Sequence, residues 1–566
     1  MSRGEKKLIK IKEICEMCNE KEVLNFVDRI VGEDVEKGYT REIHTRFPPE
    51  PNGYLHLGSA YAINISYGIA TKYKGKFNLR FDDTNPGKED HEFVEAIMED
   101  MKWMGFDYED RLFYGSDYNE RIYEYAIHLI KKGKAFVCNL SAEELREYRG
   151  TLKAPGKNSP YRERSVEENL ELFEKMKRGE FKEGEAVLRA KIDMSSPNMN
   201  MRDPVIYRIS YIPHYRTGNE WCIYPMYDYA HPIQDYIEGI SHSLCSNEFK
   251  DHRSLYEWVL NELDLELPKP RQIEFGRMNL SGVVTSKRYL KMLVASNEVD
   301  GWDDPRLPTI KGMRRRGYTR EALLDFLREI GVARADTLVD AAMLENSVRK
   351  NLKAKVPSVM AVLDPIKVVI TNLAEEDLEY LTVENNPENE EMGSREIPFT
   401  RELYIEREDF EENPPKKYNR LTLGGEVRLK GAYFIKCNEI IKDEKGDVVE
   451  LRCTYDPETK SGSGFTGRKV KGTIHWVSAK YGVPCEVRLY ENLFNESPSG
   501  DDLFKFINPN SLEVKSGAVI EPEALRLDEE GRYQFIRHGF FFKDEKISKE
   551  KLVFNRTVAL KSSYKK

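Results

Sequence analysis

The sequence has few cysteines, no long apolar run and no excess of basic residues. Eight cysteines among 566 residues are too sparse for a disulfide framework. No apolar run reaches the length of about 18 residues that a membrane-spanning helix needs. The first residues also lack the apolar core and small-residue cleavage site of a signal peptide. These absences lead us to expect a cytoplasmic protein.

The charge balance excludes a further class of protein. Lysine and arginine together number 88, aspartate and glutamate 97, and the net charge is −9. A protein with a uniformly basic surface for coating nucleic acid is therefore excluded, although a local basic face is not. With 40% hydrophobic residues the chain can form ordinary globular cores. At roughly 150 residues per domain, its length suggests about four domains.

Cys15 and Cys18 form a C-x-x-C pair near the N-terminus. A structural zinc site needs four ligands, and no second close pair of cysteines completes one. We therefore interpret the pair as two cysteines on an N-terminal helix, with zinc binding as the alternative.

A strand–helix–strand unit is predicted from the first clear patterns. Apolar and polar residues alternate over 42–47, prolines and a glycine interrupt 48–53, and a helical pattern then runs to Gly75. Alternation returns over 77–82. Crossovers of this kind are nearly always right-handed, and open α/β sheets bind ligands at the carboxyl ends of their strands. The loop at 48–53 and the pair Asp82-Asp83 are therefore expected to line a site.

The remaining chain changes character several times. Residues 116–220 look like an insertion, and a second βαβ-like stretch is predicted from a strand at 220–224 through a helix at 229–238 to a strand at 240–245. A helical, basic segment follows over 301–355. Beyond Pro357 the pattern changes to short strands and turns, with a hairpin turn at Asp443–Gly446 and a solvated acidic loop at 375–391.

Two short segments have the chemistry of phosphate binding. His56-Leu57-Gly58-Ser59 opens the first helix, where unpaired N–H groups and the helix dipole favour an anion. Thr285-Ser286-Lys287 lies on a glycine-flanked segment that could reach the outer phosphates of a nucleotide. Taken alone, the first is more typical of a helix cap or a core histidine, and the second is more typical of an exposed basic turn.

The order of these segments carries more information than either one. Arg46–Gly58, Asn78–Pro86, Cys222–Asp228 and Val284–Arg288 follow one another as in the class I aminoacyl-tRNA synthetases of the glutaminyl/glutamyl group. The chain resembles this family from about Asn25 to about Leu560, and is most similar to its glutaminyl branch. Longer matching strings begin at Arg146, Ser159, Leu188, Gly301 and Val470.

The resemblance implies an α/β Rossmann-type catalytic domain with an inserted acceptor-binding domain, a helical connector and C-terminal all-β anticodon-binding barrels. We expect a lead-in at 1–41 and the two halves of the Rossmann domain at 42–115 and 221–280. The acceptor-end insertion is expected at 116–220, the mobile-loop motif with the connector at 281–356, and the barrels at 357–566.

The resemblance also implies an ATP site, with Mg²⁺ accompanying the nucleotide. His56, Ser59 and Lys287 are the expected catalytic residues, acting by positioning and charge stabilisation. Ser59 stands where the family has a second histidine. Loss of that charge-assisted contact could cost about 1.5–3 kcal/mol, or roughly 10–100-fold in rate. The expected nucleotide-binding set is Glu50, Pro51, Asn52, His56, Leu57, Gly58, Ser59, Ala60, Tyr61, Ala62, Ser246, Arg277, Met278, Thr285, Ser286 and Lys287.

Four residues are expected at the amino acid. By resemblance Asp82 holds the α-ammonium group, Tyr227 the side-chain amide, and Arg46 another part of the substrate. Cys245 stands where the glutamyl enzymes have an arginine that pairs with the substrate carboxylate. Burying a carboxylate without a cation costs several kcal/mol, so an uncharged residue at this position favours glutamine over glutamate. The resemblance therefore implies ATP-dependent attachment of L-glutamine to the 3′ end of tRNA(Gln) through a glutaminyl-adenylate.

An acidic protein that binds tRNA needs local basic surfaces. We expect Arg314, Arg315 and Arg316 to contact tRNA, and Asp251 to contact the acceptor stem by resemblance. No protein-held metal is expected, and a monomer is assumed. The alternatives are a glutamyl-tRNA synthetase, a non-catalytic tRNA-binding relative in which Ser59 marks decay, and a small-molecule nucleotidyltransferase of the same superfamily.

Overall fold

The computed structural model describes residues 25–87, 89–496 and 502–560, so Cys15 and Cys18 lie outside the described residues. The chain divides into two compact units. The first runs to Asn279 and takes in Leu327–Leu338, and the second comprises Leu280–Phe326 and the chain from Val339 onward. Among the described residues, no helix is both long and apolar enough to cross a membrane.

The helices before residue 280 are α1 Phe26–Glu36, α2 Leu57–Lys72, α3 His91–Met104, α4 Asn119–Lys131, α5 Ala142–Arg149, α6 Val166–Lys177, α7 Tyr227–Ile237 and α8 Arg253–Glu262. Those after it are α9 Lys287–Ala295, α10 Ile310–Arg316, α11 Arg320–Ile330 and α12 Ala341–Lys353. Helix α5 begins with a capping box, in which Ser141 and Glu144 each accept from the backbone N–H of the other. At α6 Ser165 caps the helix by accepting from the Glu168 N–H.

The predicted strand–helix–strand unit is confirmed. Strands β1 His44–Phe47, β2 Lys76–Phe81 and β3 Leu112–Tyr114 lie side by side and parallel, and α2 connects the first two. The carbonyl of His44 accepts from the N–H of Ser241 at 2.9 Å, which brings the later strand β8 His242–Ser246 alongside β1. β8 in turn pairs in parallel with β9 Arg271–Phe275. The carboxyl ends of β1, β2 and β8 therefore lie close to one another.

The alternation over 42–47 does not divide β1 into a buried and an exposed face. His44 and Arg46 are buried together with Thr45. β1 lies between β2 and β8, and an interior strand of a parallel sheet is covered on both faces. The polar residues of this strand are therefore interior groups that need partners.

A second sheet of four antiparallel strands follows in the chain. It comprises β4 Ala135–Cys138, β5 Val187–Ala190, β6 Val205–Ile209 and β7 Ile223–Pro225, in that order. Its core includes Leu129, Phe173, Leu188 and Tyr229. The strand, helix and strand predicted for the second stretch are present as β7, α7 and β8, but they do not form a βαβ unit, because β7 pairs antiparallel with β6 whereas β8 pairs with β9. Helix α7 thus leads from the antiparallel sheet back to the parallel strands.

Short strands dominate the second unit. From residue 278 onward the strands are β10 Met278–Leu280, β11 Thr337–Val339, β12 Ser358–Val359, β13 Ala361–Val362, β14 Pro365–Ile370, β15 Leu378–Glu384, β16 Ser394–Thr400, β17 Glu402–Glu406, β18 Glu426–Leu429, β19 Phe434–Lys442, β20 Val448–Asp456, β21 Thr473–Ile474, β22 Val477–Ser478, β23 Val483–Tyr490, β24 Leu512–Ile520, β25 Arg532–Phe535, β26 Gly539–Lys543 and β27 Val553–Ala559. Two sheets have seven strands each, in the orders β12-β25-β26-β27-β23-β24-β13 and β21-β18-β19-β20-β14-β17-β22, and β15 pairs with β16. Each large sheet has its own apolar core. This region is therefore rich in strands, and its two large sheets are barrel-like.

Two local predictions in the second unit have different outcomes. The hairpin turn at Asp443–Gly446 is confirmed: it joins β19 to β20, and Gly446 has a φ of +90°. The expected acidic loop at 375–391 is wrong in part, because β15 occupies its centre and pairs antiparallel with β16. Backbone pairing therefore outweighs the acidic composition at that place.

Candidate functional site

His56 is the N-cap of α2. Its Nδ1 accepts a hydrogen bond from the Ser59 N–H at 3.2 Å, so a neutral ring carries its proton on Nε2. Gly58 leaves room for the ring, because a Cβ there would lie 3.0 Å from the His56 Cε1. The N–H groups of Leu57 and Gly58 have no acceptor within the helix. This helix start offers N–H donors to an anion, as predicted from the sequence.

The other residues expected at the nucleotide on this side fall into two groups. Asn52 hydrogen-bonds Glu50 through its side-chain amide and through its backbone N–H, the latter at 2.9 Å, in the loop that contains Pro51. Ala60 and Tyr61 are instead buried, and the Tyr61 hydroxyl donates to the Gly331 carbonyl at 3.1 Å. Their side chains serve the core of the first unit, and the neighbouring Ala62 is half-buried.

Three further residues predicted for the nucleotide lie near β8, β9 and β10. The Ser246 hydroxyl donates to Glu248 at 2.8 Å. Both the backbone N–H and the Nη2 of Arg277 donate to Asp336 at 2.9 Å, so an acidic partner holds this arginine. Met278 is buried.

The second phosphate-binding segment lies in the second unit. Ser286 is the N-cap residue of α9 without a side-chain capping bond, and Lys287 is the first residue of that helix. Thr285 and Lys287 are half-buried. His56 belongs to the first unit and Lys287 to the second.

Asp82 lies directly after β2 and is 5% exposed. Thr84 donates its hydroxyl to the Asp82 Oδ1 at 3.0 Å, and the Asp82 N–H donates to the Pro49 carbonyl at 2.9 Å. Burial, helped by the negative charge of Glu50, raises the pKa of Asp82 to about 6. A cationic group brought next to this carboxyl would favour its ionised form, as an α-ammonium group would.

Tyr227 is the first residue of α7. Its ring stacks on His231, with centroids 4.7 Å apart, and contacts Phe249. Within the described part of the chain its hydroxyl has no hydrogen-bond partner. Burial raises its pKa, while Arg46, Cys245 and Asp82 lie close enough to act on it electrostatically. The structure therefore brings together the four residues predicted to hold the amino acid.

Cys245 lies in β8 and is half-buried. Its thiol donates to the Ile273 carbonyl of β9 at 3.9 Å. Burial raises its pKa to about 12, so the group is uncharged at neutral pH. The cations near enough to influence it are Arg46 and Arg253. Arg253 is bound by Glu274, to which its Nε donates at 2.9 Å.

Arg46 is 1% exposed and lies at the centre of a buried charged cluster. Its Nε donates to the Asp235 carboxylate at 3.1 Å, its Nη1 to the Leu244 carbonyl at 2.7 Å, and its Nη2 to Ser243 at 2.5 Å. The His231 Nε2 lies 2.5 Å from the same Nη2. One N–H of Nη1 is left for a ligand. Contact of Arg46 with the substrate stays a prediction, but most N–H groups of its guanidinium already donate to other residues of the protein.

Asp235 is the buried counter-ion that the sequence analysis missed. It accepts from Arg80 at 2.8 Å as well as from Arg46, and these cations hold its pKa far below the usual range against the effect of burial. Arg80 also pairs with Glu238 at 3.1 Å. The two arginines are thus balanced by two carboxylates. Polar residues at 231 and 235, four apart on one face of a predicted helix, were the available signal.

The residues predicted to contact tRNA have contrasting surroundings. Asp251 is exposed, and its carbonyl accepts from the Asn198 amide at 2.7 Å. Arg315 is instead 9% exposed and donates to Asp544 at 3.1 Å, whereas Arg316 donates to the Thr557 carbonyl at 3.1 Å. Arg315 and Arg316 therefore already bind acceptors in the second unit, and their contact with tRNA stays a prediction. Arg314 lies half-buried beside them.

Comparison with known proteins identifies the family. Residues 42–354 match the catalytic domain described as tRNA synthetases class I (E and Q). Residues 356–456 and 473–544 match two anticodon-binding domains of the same group. The chain belongs to the class I tRNA synthetases of the E and Q group. The resemblance found in the sequence is thereby confirmed, and so is the use of ATP that this family implies.

The curated relatives of this synthetase include several glutamine–tRNA ligases. The protein from Clostridium kluyveri is 57% identical over 96% of this chain and 98% of its own. That from Clostridium perfringens is 56% identical over 97% of this chain and 100% of its own, and that from Proteus mirabilis 54% over 96% and 98%. A solved glutamate–tRNA synthetase from Elizabethkingia anophelis is 18% identical, with a TM-score of 0.41 over 55% of this chain and 70% of that one.

Proposed function

We propose that this protein attaches L-glutamine to the 3′ end of tRNA(Gln), using ATP and passing through a glutaminyl-adenylate. Membership of the family supplies the reaction class, and the names of the relatives indicate the amino acid. The observation that carries the choice of glutamine is the uncharged thiol of Cys245, which lies near enough to Tyr227 to act on it electrostatically.

The first step joins the amino acid to AMP. The carboxylate of glutamine attacks the α-phosphorus of ATP. The bond between this phosphorus and the oxygen that bridges to the β-phosphate breaks, and pyrophosphate leaves. Such a step depends on positioning and on stabilising the charge of the phosphates. His56 and the N–H groups at the start of α2 would bind phosphate oxygens, Ser59 would add one hydrogen bond, and Lys287 would bind the outer phosphates. Mg²⁺ would enter with ATP and reduce the repulsion between these oxygens.

The second step transfers the amino acid to tRNA. The terminal ribose 2′-OH attacks the activated carbonyl, and AMP leaves with the electron pair of the broken C–O bond. We assign no general base among the residues of this chain. Asp82 would hold the α-ammonium group and Tyr227 the side-chain amide, which would keep the carbonyl in place through both steps.

The choice between glutamine and glutamate follows from charge. Arg46 is bound by Asp235 and Arg253 by Glu274, so both of these cations near Cys245 already have a carboxylate partner. Among the described residues, a glutamate side chain would therefore meet cations whose charge is already balanced, at a cost of several kcal/mol. A neutral amide needs only hydrogen bonds, which the Tyr227 hydroxyl can supply. At about 1.4 kcal/mol per tenfold, we expect discrimination of about 100-fold or more.

We assign the parts of the reaction to the chain as follows. Residues 42–115 and 221–280 would form a Rossmann-type catalytic domain, and 116–220 would be the insertion that binds the acceptor end. Residues 281–356 would carry the mobile loop and connector, 357–566 would bind the anticodon, and 1–41 would be a lead-in. We further propose that the protein acts as a monomer in the cytoplasm, where its tRNA substrate is used.

The test is aminoacylation of bulk tRNA with labelled glutamine and glutamate side by side. We expect glutamine to be charged with a kcat/KM at least about 100-fold above that for glutamate. Cys245→Arg should narrow this ratio, because it adds a cation, whereas the matched Cys245→Ala should leave it largely unchanged. Comparable kcat/KM values for the two amino acids in the unaltered protein would overturn the proposal.

A further inference from the structure

Two free cysteines face each other in the second unit. Cys437 lies in β19 and Cys453 in β20, and the antiparallel register pairs the two residues directly. Both are completely buried and belong to the same apolar core. They lie far from the candidate amino-acid site in the chain, and the proposed reaction makes no use of either thiol.

The backbone hydrogen bonds define the geometry of this pair. The N–H of Cys437 donates to the Gly425 carbonyl at 3.2 Å, and its carbonyl accepts from the Gly424 N–H at 2.7 Å. The carbonyl of Cys453 accepts from the Thr371 N–H at 2.8 Å. The peptide groups of both cysteines therefore point to strands on opposite sides and not to each other.

Such an arrangement is a non-hydrogen-bonded pair, the type in which opposite residues approach most closely. Its Cα atoms are about 4.5 Å apart, within the range of about 4.4–6.8 Å found for disulfides. The Cβ atoms of directly opposite residues are also nearly close enough for a disulfide, so a small adjustment suffices. A break in the ladder between Cys437 and Glu439, where the register shifts, gives the strand local freedom for it.

The two thiols are chemically unequal. The Cys437 thiol donates to the Glu439 carbonyl at 3.6 Å. The neighbouring thiol of Cys453 lowers the pKa of Cys437, and Cys437 in turn raises the pKa of Cys453. Of the two thiols, Cys437 is therefore the one that ionises first, and the thiolate is the nucleophilic form of cysteine.

We propose that Cys437 and Cys453 are a redox-active pair that forms a reversible disulfide when the protein meets a peroxide. The Cys437 thiolate attacks one oxygen of hydrogen peroxide, so that an S–O bond forms, the O–O bond breaks and hydroxide leaves. The Cys453 sulfur then attacks the sulfur of this sulfenic acid. An S–S bond forms, the S–O bond breaks, and the departing hydroxide takes up the thiol proton. Two thiols lose two electrons, and one peroxide becomes two waters.

The disulfide would link two strands within residues 356–456, which match an anticodon-binding domain. It closes a loop over 438–452 and so restricts the opening of the β19–β20 hairpin. Amide exchange in this hairpin should slow by about 10–100-fold when the bond is present. A thiol reductant should return exchange to its original rate.

The full chain carrying Cys15→Ser and Cys18→Ser is treated with hydrogen peroxide, blocked with N-ethylmaleimide, digested without reductant and analysed by mass spectrometry. We expect a cross-linked peptide containing Cys437 and Cys453 that lacks two hydrogen atoms and disappears with dithiothreitol. Amide exchange over β19 and β20 is measured on the same samples.

Variants complete the test. Cys437→Ser should abolish both the cross-link and the change in exchange, whereas Cys485→Ser, which alters a buried cysteine of the other large sheet, should leave both intact. Recovery of Cys437 and Cys453 as two alkylated thiols after peroxide treatment would overturn the proposal. So would a disulfide that joins either of them mainly to a different cysteine.

Discussion

Tyr227 and His231 lie one turn apart on α7 with their rings stacked, the centroids 4.7 Å apart and the planes 26° from parallel. His231 also contacts Arg46 in the buried cluster that includes Asp235. The orientation of the Tyr227 ring is therefore set by a group that is itself fixed by charge. We propose that the hydroxyl at the end of the ring binds the amino acid.

Removing this hydroxyl should affect substrate binding and leave the fold intact. We expect Tyr227→Phe to keep the ring stack and to lower kcat/KM for glutamine by about 10-fold or more, since one hydrogen bond to the substrate is worth about 1–2 kcal/mol. Steady-state aminoacylation measures the effect. Tyr236→Phe, on the same helix, is the matched control, and an equal loss in both variants would argue against a substrate contact.

The two roles of His56 can be separated by substitution. Asparagine is a good N-cap, so His56→Asn should preserve α2 but remove the ring that would bind phosphate. We expect a fall in kcat of about 10–100-fold with unchanged thermal stability. His56→Ala should lose the cap as well and destabilise the protein by about 0.5–2 kcal/mol. An active His56→Asn variant would limit His56 to capping.

The protonation of Asp82 should make glutamine binding dependent on pH. Burial and Glu50 raise its pKa to about 6, and only the ionised carboxylate attracts an α-ammonium group. As the pH falls through about 6, the KM for glutamine should rise, by about tenfold at pH 5. The KM for ATP is the internal control. Asp82→Asn should give a high KM without this dependence, and a constant KM in the unaltered protein would contradict the assignment.

Local patterns were sufficient to predict much of the first unit. Helix α2 ends at Lys72, as Gly75 indicated, and β2 coincides with the alternating stretch after it. The motif residues at 56–58 lie at a helix start for the same reason. These features depend on neighbours in sequence, where hydrophobic period, caps and glycines act directly.

The buried charges could not be predicted in this way. Arg46 and Asp235 are 189 residues apart in the chain, and although the polar spacing of 231 and 235 hints at a buried group, neither local pattern indicates which residue is its partner. The alternation along β1 suggests that Arg46 lies on a polar face, because this interpretation assumes that one face of the sheet is exposed to solvent. The pairing of β7 with β6 instead of β8 depends likewise on strand contacts between distant segments. The sequence prediction therefore failed where the structure depends on pairing between residues that are far apart in the chain.

Arg315 should contribute to stability more than to tRNA binding. It donates to the buried carboxylate of Asp544, which also accepts from Asn555 at 2.9 Å. We expect Arg315→Ala to lower the free energy of unfolding by about 1–3 kcal/mol and to leave the salt dependence of tRNA binding unchanged. Arg314→Ala is the comparison, and should reduce the salt slope by about 1 if that residue meets a phosphate. A reduced salt slope for Arg315→Ala would instead show that Arg315 contacts tRNA.

A buried carboxylate–histidine cluster should make the second unit sensitive to acid. The His538 Nε2 lies 2.8 Å from the Glu406 Oε1, and His475 approaches the same oxygen at 3.5 Å. Burial lowers the pKa of His475. Burial opposes ionisation of Glu406, but its two histidine neighbours outweigh this effect and lower its pKa. These groups could also ligate a metal, but the Arg537 Nε donates to the His475 Nδ1 at 3.0 Å, which leaves the proton on the nitrogen facing Glu406.

Both shifts act in the same direction. A histidine with a lowered pKa is protonated first in the unfolded state, so stability falls as the pH drops below the ordinary histidine value of about 6.5. A carboxylate with a lowered pKa contributes stability above its ordinary value of about 4.3, and that contribution is lost as the pH falls below it. Amide protection factors over β17, corrected for the pH dependence of intrinsic exchange, should therefore fall progressively from pH 6.5 to pH 4. Glu406→Gln should have lower protection factors at pH 7 and lose the lower part of this dependence, whereas the surface variant Glu402→Gln should behave as the unaltered protein. Protection factors over β17 that stay constant across this range would show that the cluster does not control acid stability.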